Sequence, residues 1–166
     1  MDKQQMNNKD KISNIVFSAY ILLAFYVFGG GMVNSLVAYR TWLWVGESEF
    51  PKFHQIDRSL IVPLFVIFFF LSFIPQLLLF WFRPVVISKR LVWLALFFNL
   101  ITLISTITIQ LPIQAELDKR FSVELIERLI STDMAYRRIP MLLLAVVNFI
   151  MLYKVVSNAN TKLPSP

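Results

Sequence analysis

The chain has 166 residues; 57% are hydrophobic and 16% charged, and 16 Lys and Arg against 10 Asp and Glu leave a net charge of +6. A soluble domain is about 45–50% apolar and about 25% charged, so the composition points to one integral membrane domain. With no cysteine and a single histidine, thiol relays, disulfide scaffolds and metal sites built from Cys or from several His of one chain are excluded. No metal or cofactor is expected.

Four apolar segments follow in chain order, at about 12–39, 59–82, 91–113 and 139–156. Each is long enough, as a helix rising about 1.5 Å per residue, to cross or nearly cross a hydrocarbon core about 30 Å thick. The period-2 alternation of barrel strands is missing; residues 64–71 are apolar without a break. Helices are therefore expected, because lipid leaves a backbone only the helix or the closed barrel. The first segment is too long for a signal-peptide core and Gly29-Gly30-Gly31-Met32 is not placed as a cleavage site, so the segment is expected to be retained as an anchor. The triple glycine suits close packing or a bend. Pro63, Pro75 and Pro112 are expected to kink spans or mark their ends, and Pro140 fits a first helical turn.

Between the first two spans, Pro51 starts a helix that puts His54 and Arg58, four apart, on one face. Between the last two, Leu125, Ile126, Leu129, Ile130 and Met134 recur at steps of three and four, with Glu124, Glu127, Arg128 and Asp133 on other faces. This predicts an amphipathic helix over 122–136, capped by Ser122 and lying in the interface or over the mouth of the bundle. The polar stretches 1–10 and 157–166 are expected to be frayed tails.

Orientation rests on the cations. The tails and the 2–3 loop carry Lys3, Lys9, Lys11, Arg83, Lys89, Arg90, Lys154 and Lys162; the opposite side carries as many, diluted among acids in longer loops. The short loop with three cations and no acid favours both termini in the cytoplasm. Trp81, Phe82 and Trp93 on that side, with Tyr39, Trp42 and Trp44 on the other, suit the two headgroup levels.

The third span carries the most specific signal. Asn99, Thr102, Thr106 and Gln110 stand at steps of three, four and four, with Ser105 beside them. They form one stripe, which would lack partners in lipid and is expected to turn inward, toward Asn34, Ser35, Gln76 and Asn148. Interhelical hydrogen bonding or a ligand site would each account for it. At the outer mouth Asn34, Tyr39, Arg40, His54, Arg58, Thr106, Gln110, Gln114 and Arg137 are expected to converge. Histidine titrates near pH 6.5, so His54 is the default acid or base if there is chemistry. The arginines could hold an anionic ligand or headgroup, or the loop carboxylates Asp57 and Asp133. No Walker loop, dinucleotide fingerprint or Glu-x-x-His pair is present, and the basic excess suits anionic lipid rather than nucleic acid.

Two stretches carry a resemblance. Tyr39-Arg40-Thr41-Trp42 with Phe50 and His54, and Gln110-Leu111-Pro112-Ile113-Gln114 with Leu117, Leu129-Ile130, Tyr136 and Arg137, resemble small four-helix bacterial membrane proteins related to the anthrone oxygenase-like group. The resemblance covers about 12–156. It implies an antiparallel four-helix membrane bundle, cofactor-independent oxygenation of a polycyclic aromatic, and a site at His54, Gln110 and Arg137. The chain departs from the pattern with Gln114 where His is expected and Tyr136 where Trp is expected.

The expectation is thus an all-α, multi-pass cell-membrane protein, an antiparallel four-span bundle with an extra amphipathic helix in the 3–4 loop. Its outer mouth would bind an apolar or aromatic small molecule through Asn34, Arg58, Asn99, Thr102, Thr106, Gln110 and Gln114, with His54 as acid or base and Arg137 facing developing negative charge. The alternative is a non-enzymatic accessory subunit of a membrane complex, or a homo-oligomer, held by its glycines and aromatics.

Overall fold

The computed structural model describes residues 3–161. Among these there is no strand, and four helices are long and apolar enough to cross a membrane: α1 (Asn8–Trp44), α2 (Phe50–Leu78), α3 (Lys89–Leu117) and α4 (Val123–Ala159). The two shorter ones, at 29 residues, are about 44 Å long, so all four outreach a hydrocarbon core of about 30 Å. Large apolar side chains lie exposed along them, among them Leu22, Leu64, Ile104, Val146 and Phe149.

The ends differ from the sequence expectation. The first helix begins at Lys3 and the last ends at Asn160, so 3–10 and 157–160 are helix rather than frayed tail; Thr161 is in a turn, and residues 1–2 and 162–166, Lys162 included, lie outside the described residues. The second helix stops at Leu78, and residues 79–82 turn instead of continuing the span.

The larger correction concerns residues 122–136. Val123–Asp133 is helical and Ser122 caps it, accepting from the Leu125 N–H at 3.3 Å. The helix does not end there. It passes through Met134–Arg138 into Ile139–Asn160, so the amphipathic stretch is the first part of α4, not a separate loop helix. Pro140 suits a first turn, but it equally suits the position after a widened turn, where the missing N–H costs nothing extra.

Such widened turns recur. Each helix contains one π turn, in which an N–H reaches the carbonyl five residues back: Tyr39 to Asn34, Ile67 to Val62, Leu111 to Thr106 and Ile139 to Met134. Pro63 lies within the second; Pro112 and Pro140 stand just beyond the third and fourth. A helix-interior proline leaves a carbonyl without its donor and crowds the preceding turn, and a π turn relieves both by inserting a residue. Pro75 sits within α2 with helical backbone around it.

Three clusters fill the interior. At the end where α2 meets α3, Phe17, Tyr20, Leu79, Ile87, Val92, Ala95, Val147 and Met151 pack together. Midway, Val27, Phe65 and Phe69 form a smaller group. At the other end, the crown, Tyr39, Trp42, Phe50, Ile113, Leu117, Ile126 and Leu129 gather around the connections 45–49 and 118–122. α1 packs on residues 62–78 of α2, and α3 packs on α4, while α2 and α3 lack such a seam. Two glycines let α1 pack closely: a Cβ at Gly30 would stand 3.0 Å from the Phe65 ring of α2, and one at Gly31 would collide with Met141 of α4.

Candidate functional site

The stripe on α3 turns inward. Asn99, Thr102, Ser105 and Gln110 are buried and Thr106 is half-buried. Asn99 donates to Gln76 Oε1 at 2.6 Å. Asn148 accepts instead from the Tyr20 hydroxyl, also at 2.6 Å.

Nearer the crown, α4 places three charges together. Asp133 and Arg137 are four apart and pair at 3.1 Å; Asp133 and Arg138 are five apart and pair at 3.2 Å. In a regular helix a residue five positions on lies about 140° around the axis. The π turn at Met134–Arg138 brings both arginines to one carboxylate. All three side chains are buried, and Ser35 on α1 donates to Asp133. Arg138 also donates to the Ile130 carbonyl at 3.2 Å.

Tyr39, wholly buried, is the hub beside this group. Its oxygen receives Arg137 Nη1 at 3.0 Å, Asn34 Nδ2 at 3.1 Å and Gln114 Nε2 at 3.4 Å. Three helices thereby meet at one atom. Arg137 Nε and Gln110 Oε1 are buried and have no partner.

A second charged group ties α2 to α3. His54 Nδ1 lies 2.8 Å from Asp118 Oδ1, and Arg58 reaches the other carboxylate oxygen. Gln55 donates to the Asp118 carbonyl at 3.1 Å. The His54 ring is fully buried, stacked on Phe50 and edge-on to Trp42. Its Nε2 has no partner. The spacing of His54 and Arg58 signalled a shared face; the acid they share went unrecognised, because Asp118 reads in sequence as one more loop carboxylate.

Between these groups lies a cavity of about 110 Å³. α2 lines it with Arg58, Ile61, Val62, Phe65, Val66, Phe69 and Phe70, and α3 with Thr102, Thr106, Gln110, Leu111 and Gln114. α1 contributes Asn34 and Tyr39, α4 Arg137 and Met141. Each of the four π turns supplies part of the wall: Asn34; Val62, Phe65 and Val66; Thr106 and Gln110; Arg137. The result is an apolar chamber with polar groups concentrated where Asn34, Gln114 and Arg137 meet the Tyr39 oxygen, and with Gln110, which donates to Thr132 at 3.3 Å, also in its wall.

The structure therefore brings Asn34, Arg58, Thr102, Thr106, Gln110, Gln114 and Arg137 to one cavity. It leaves out Asn99, which lines a smaller void of about 20 Å³ with Tyr20, Ser72 and Asn148. It leaves out His54, which is outside the wall and reaches it only through Asp118 and Arg58. Arg40 is exposed. Of the two acids weighed as arginine partners, Asp133 takes that role, while Asp57 lines a separate groove. Among the described residues no three His, Cys, Asp or Glu side chains converge as a metal site would require.

Compared with known proteins, the chain matches no family model, no curated protein and no solved structure.

Proposed function

We propose that this is a small four-span membrane protein, an antiparallel bundle with both termini cytoplasmic, that binds an apolar or aromatic small molecule in the cavity between its π turns. The observation that carries the reading is a chamber walled by aliphatic and aromatic side chains with a buried guanidinium, a phenol and two amides at one end. Apolar walls with a few convergent polar groups are the usual build of a ligand site. A site at membrane depth would also explain why four helices tolerate widened turns at one level, since π turns concentrate at functional positions. In this reading Thr106, Gln110 and Gln114 orient the ligand's oxygens and Arg137 faces its most negative atom.

The oxygenase-like activity implied by the resemblance to the anthrone oxygenase-like group would be an enzymatic form of the same site. His54 favours that form least, because its ring lies outside the cavity wall and its Nδ1 is engaged by Asp118. Arg58 lines the wall and shares Asp118 with it, so His54 positions Arg58 rather than meeting the ligand.

The test is purification of the full chain in a mild non-ionic detergent, followed by native mass spectrometry. A hydrophobic molecule bound one to one, and lost from a Thr106→Phe variant that fills the chamber, supports the reading. A stable partner protein with no small molecule in either form overturns it in favour of an accessory subunit.

A further inference from the structure

We infer that the ligand of this cavity is a single-chain acid, its carboxylate beside Arg137 and its hydrocarbon tail lying in the open groove between α1 and α2. The inference rests on the binding reading above and adds to it the ligand's charge and its route.

The charge follows from the buried cluster. Asp133 is one carboxylate shared by two guanidinium groups, and all three side chains are buried. The cluster therefore holds a surplus positive charge in a region of low dielectric, where an uncompensated charge is costly. Arg137 is the member that lines the cavity, and its Nε is unpartnered. An anion entering the chamber removes the surplus. A neutral ligand does not.

The shape of the ligand follows from volume. A cavity of about 150 Å³ holds one benzene, so a chamber of about 110 Å³ takes a head of a few heavy atoms. A carboxyl group with its adjoining methylenes meets that limit; a phosphoglycerol head with two chains does not. The rest of any amphiphile must lie elsewhere.

A place large enough adjoins the chamber. A groove of about 540 Å³, open to the side, runs along Tyr26, Gly29, Gly30, Val33 and Leu64, with Asp57 the one carboxylate in its lining. It shares Asn34, Ile61 and Phe65 with the chamber, so the two voids meet at these three side chains, and a ligand that occupies both must part them. The Phe65 ring rests against Gly30 and belongs to the π turn of α2. A Cβ at Gly29 would meet nothing within 4 Å. That absence of a side chain gives the groove its depth at a position where helix packing does not demand glycine.

The experiment measures saturable binding of labelled dodecanoate and dodecanol to the full chain in non-ionic detergent. The acid is expected to bind about tenfold or more tighter than the alcohol, a difference of about 1.4 kcal/mol. Arg137→Gln leaves Asp133 and Arg138 as a balanced pair, and acid and alcohol then bind alike. Gly29→Leu puts an apolar side chain into the groove from a position where a Cβ meets nothing within 4 Å. It is expected to weaken dodecanoate binding about fivefold or more while leaving propanoate, whose few heavy atoms the chamber alone can hold, unchanged. Equal binding of acid and alcohol by the unaltered chain overturns the anionic head while leaving the apolar site standing. Preference for the acid with no effect of Gly29→Leu overturns the tail route. If neither probe saturates, and Thr106→Phe changes nothing, this inference and the binding reading fall together.

Discussion

The two ends of the molecule solve the same problem differently. Where α2 meets α3, the interior is an apolar cluster around Leu79, Val92 and Met151, and nearby polar side chains are tied in pairs, Tyr20 with Asn148 and Gln76 with Asn99. Toward the crown, polar groups are pooled. One carboxylate serves two arginines and a serine, one phenol serves three donors, and a second carboxylate serves His54 and Arg58. All four π turns lie at this side of the molecule, around the cavity. Lipid gives no hydrophobic force between helices, so packing and hydrogen bonds must hold both ends. Pairs can be lost one at a time. A pooled network fails as a unit.

That contrast predicts the largest effect at Asp133. Asp133→Asn leaves Arg137 and Arg138 buried without a counter-charge and is expected to lower stability by about 3–5 kcal/mol, read as a fall in the thermal unfolding midpoint in detergent. A fall no larger than that of a surface variant would mean that the arginines find water, and the pooled network would lose its meaning.

At the opposite end, Met151→Ala opens a void in a fully buried position. The expected loss is about 2–4 kcal/mol, with no change in ligand binding because no residue near it lines the cavity wall. A binding defect in this variant would show that the two ends are coupled and that the comparison drawn here is too simple.

Much of the framework was legible in the sequence. The four apolar runs gave four helices. The three-four-four spacing of Asn99, Thr102, Thr106 and Gln110 gave an inward stripe, because amides and hydroxyls have no partner in hydrocarbon. Ser122 capped a helix and Pro51 opened one. What the sequence hid were the π turns. Prolines mark where a helix is disturbed, but whether the chain kinks, ends or inserts a residue depends on which carbonyl the next N–H can reach in the packed bundle. The same ambiguity made residues 122–136 look like a separate helix: Asp133 read as part of its polar faces and Arg137 as a residue of the outer mouth, whereas the inserted residue turns Asp133, Arg137 and Arg138 to one side. Asp118 was hidden for another reason. It stands 60 residues from Arg58 in sequence, and no local pattern links a loop acid to the cations of a preceding helix.

Tyr39→Phe sharpens the account of pooling. The variant keeps the ring packed against Trp42 and removes only the oxygen that Asn34, Gln114 and Arg137 share, so about 1–3 kcal/mol of stability should go. A second consequence separates a hub from a simple hydrogen bond: Gln114→Leu should cost much less in the Tyr39→Phe background than in the unaltered chain, since its partner is already absent. Additive losses would mean that the three donors act independently.

The smallest effect belongs to the paired end. Asn99 donates to Gln76 Oε1 in one bond between α3 and α2, and the buried Gln76 amide nitrogen has no partner. Replacing both with leucine removes a donor and an acceptor together and leaves neither buried alone. Interhelical hydrogen bonds of this kind are worth about 0.6 kcal/mol on average, and leucine returns packing where the amides stood. The double variant should therefore unfold within a few degrees of the parent, whereas Asn99→Leu alone, which strands Gln76 Oε1, should be the less stable of the two. If the double variant instead collapses as Asp133→Asn is expected to, the pair is part of a network that reaches the cavity through Thr102, the one stripe residue lining both voids, and the division between paired and pooled polar groups must be redrawn at that residue.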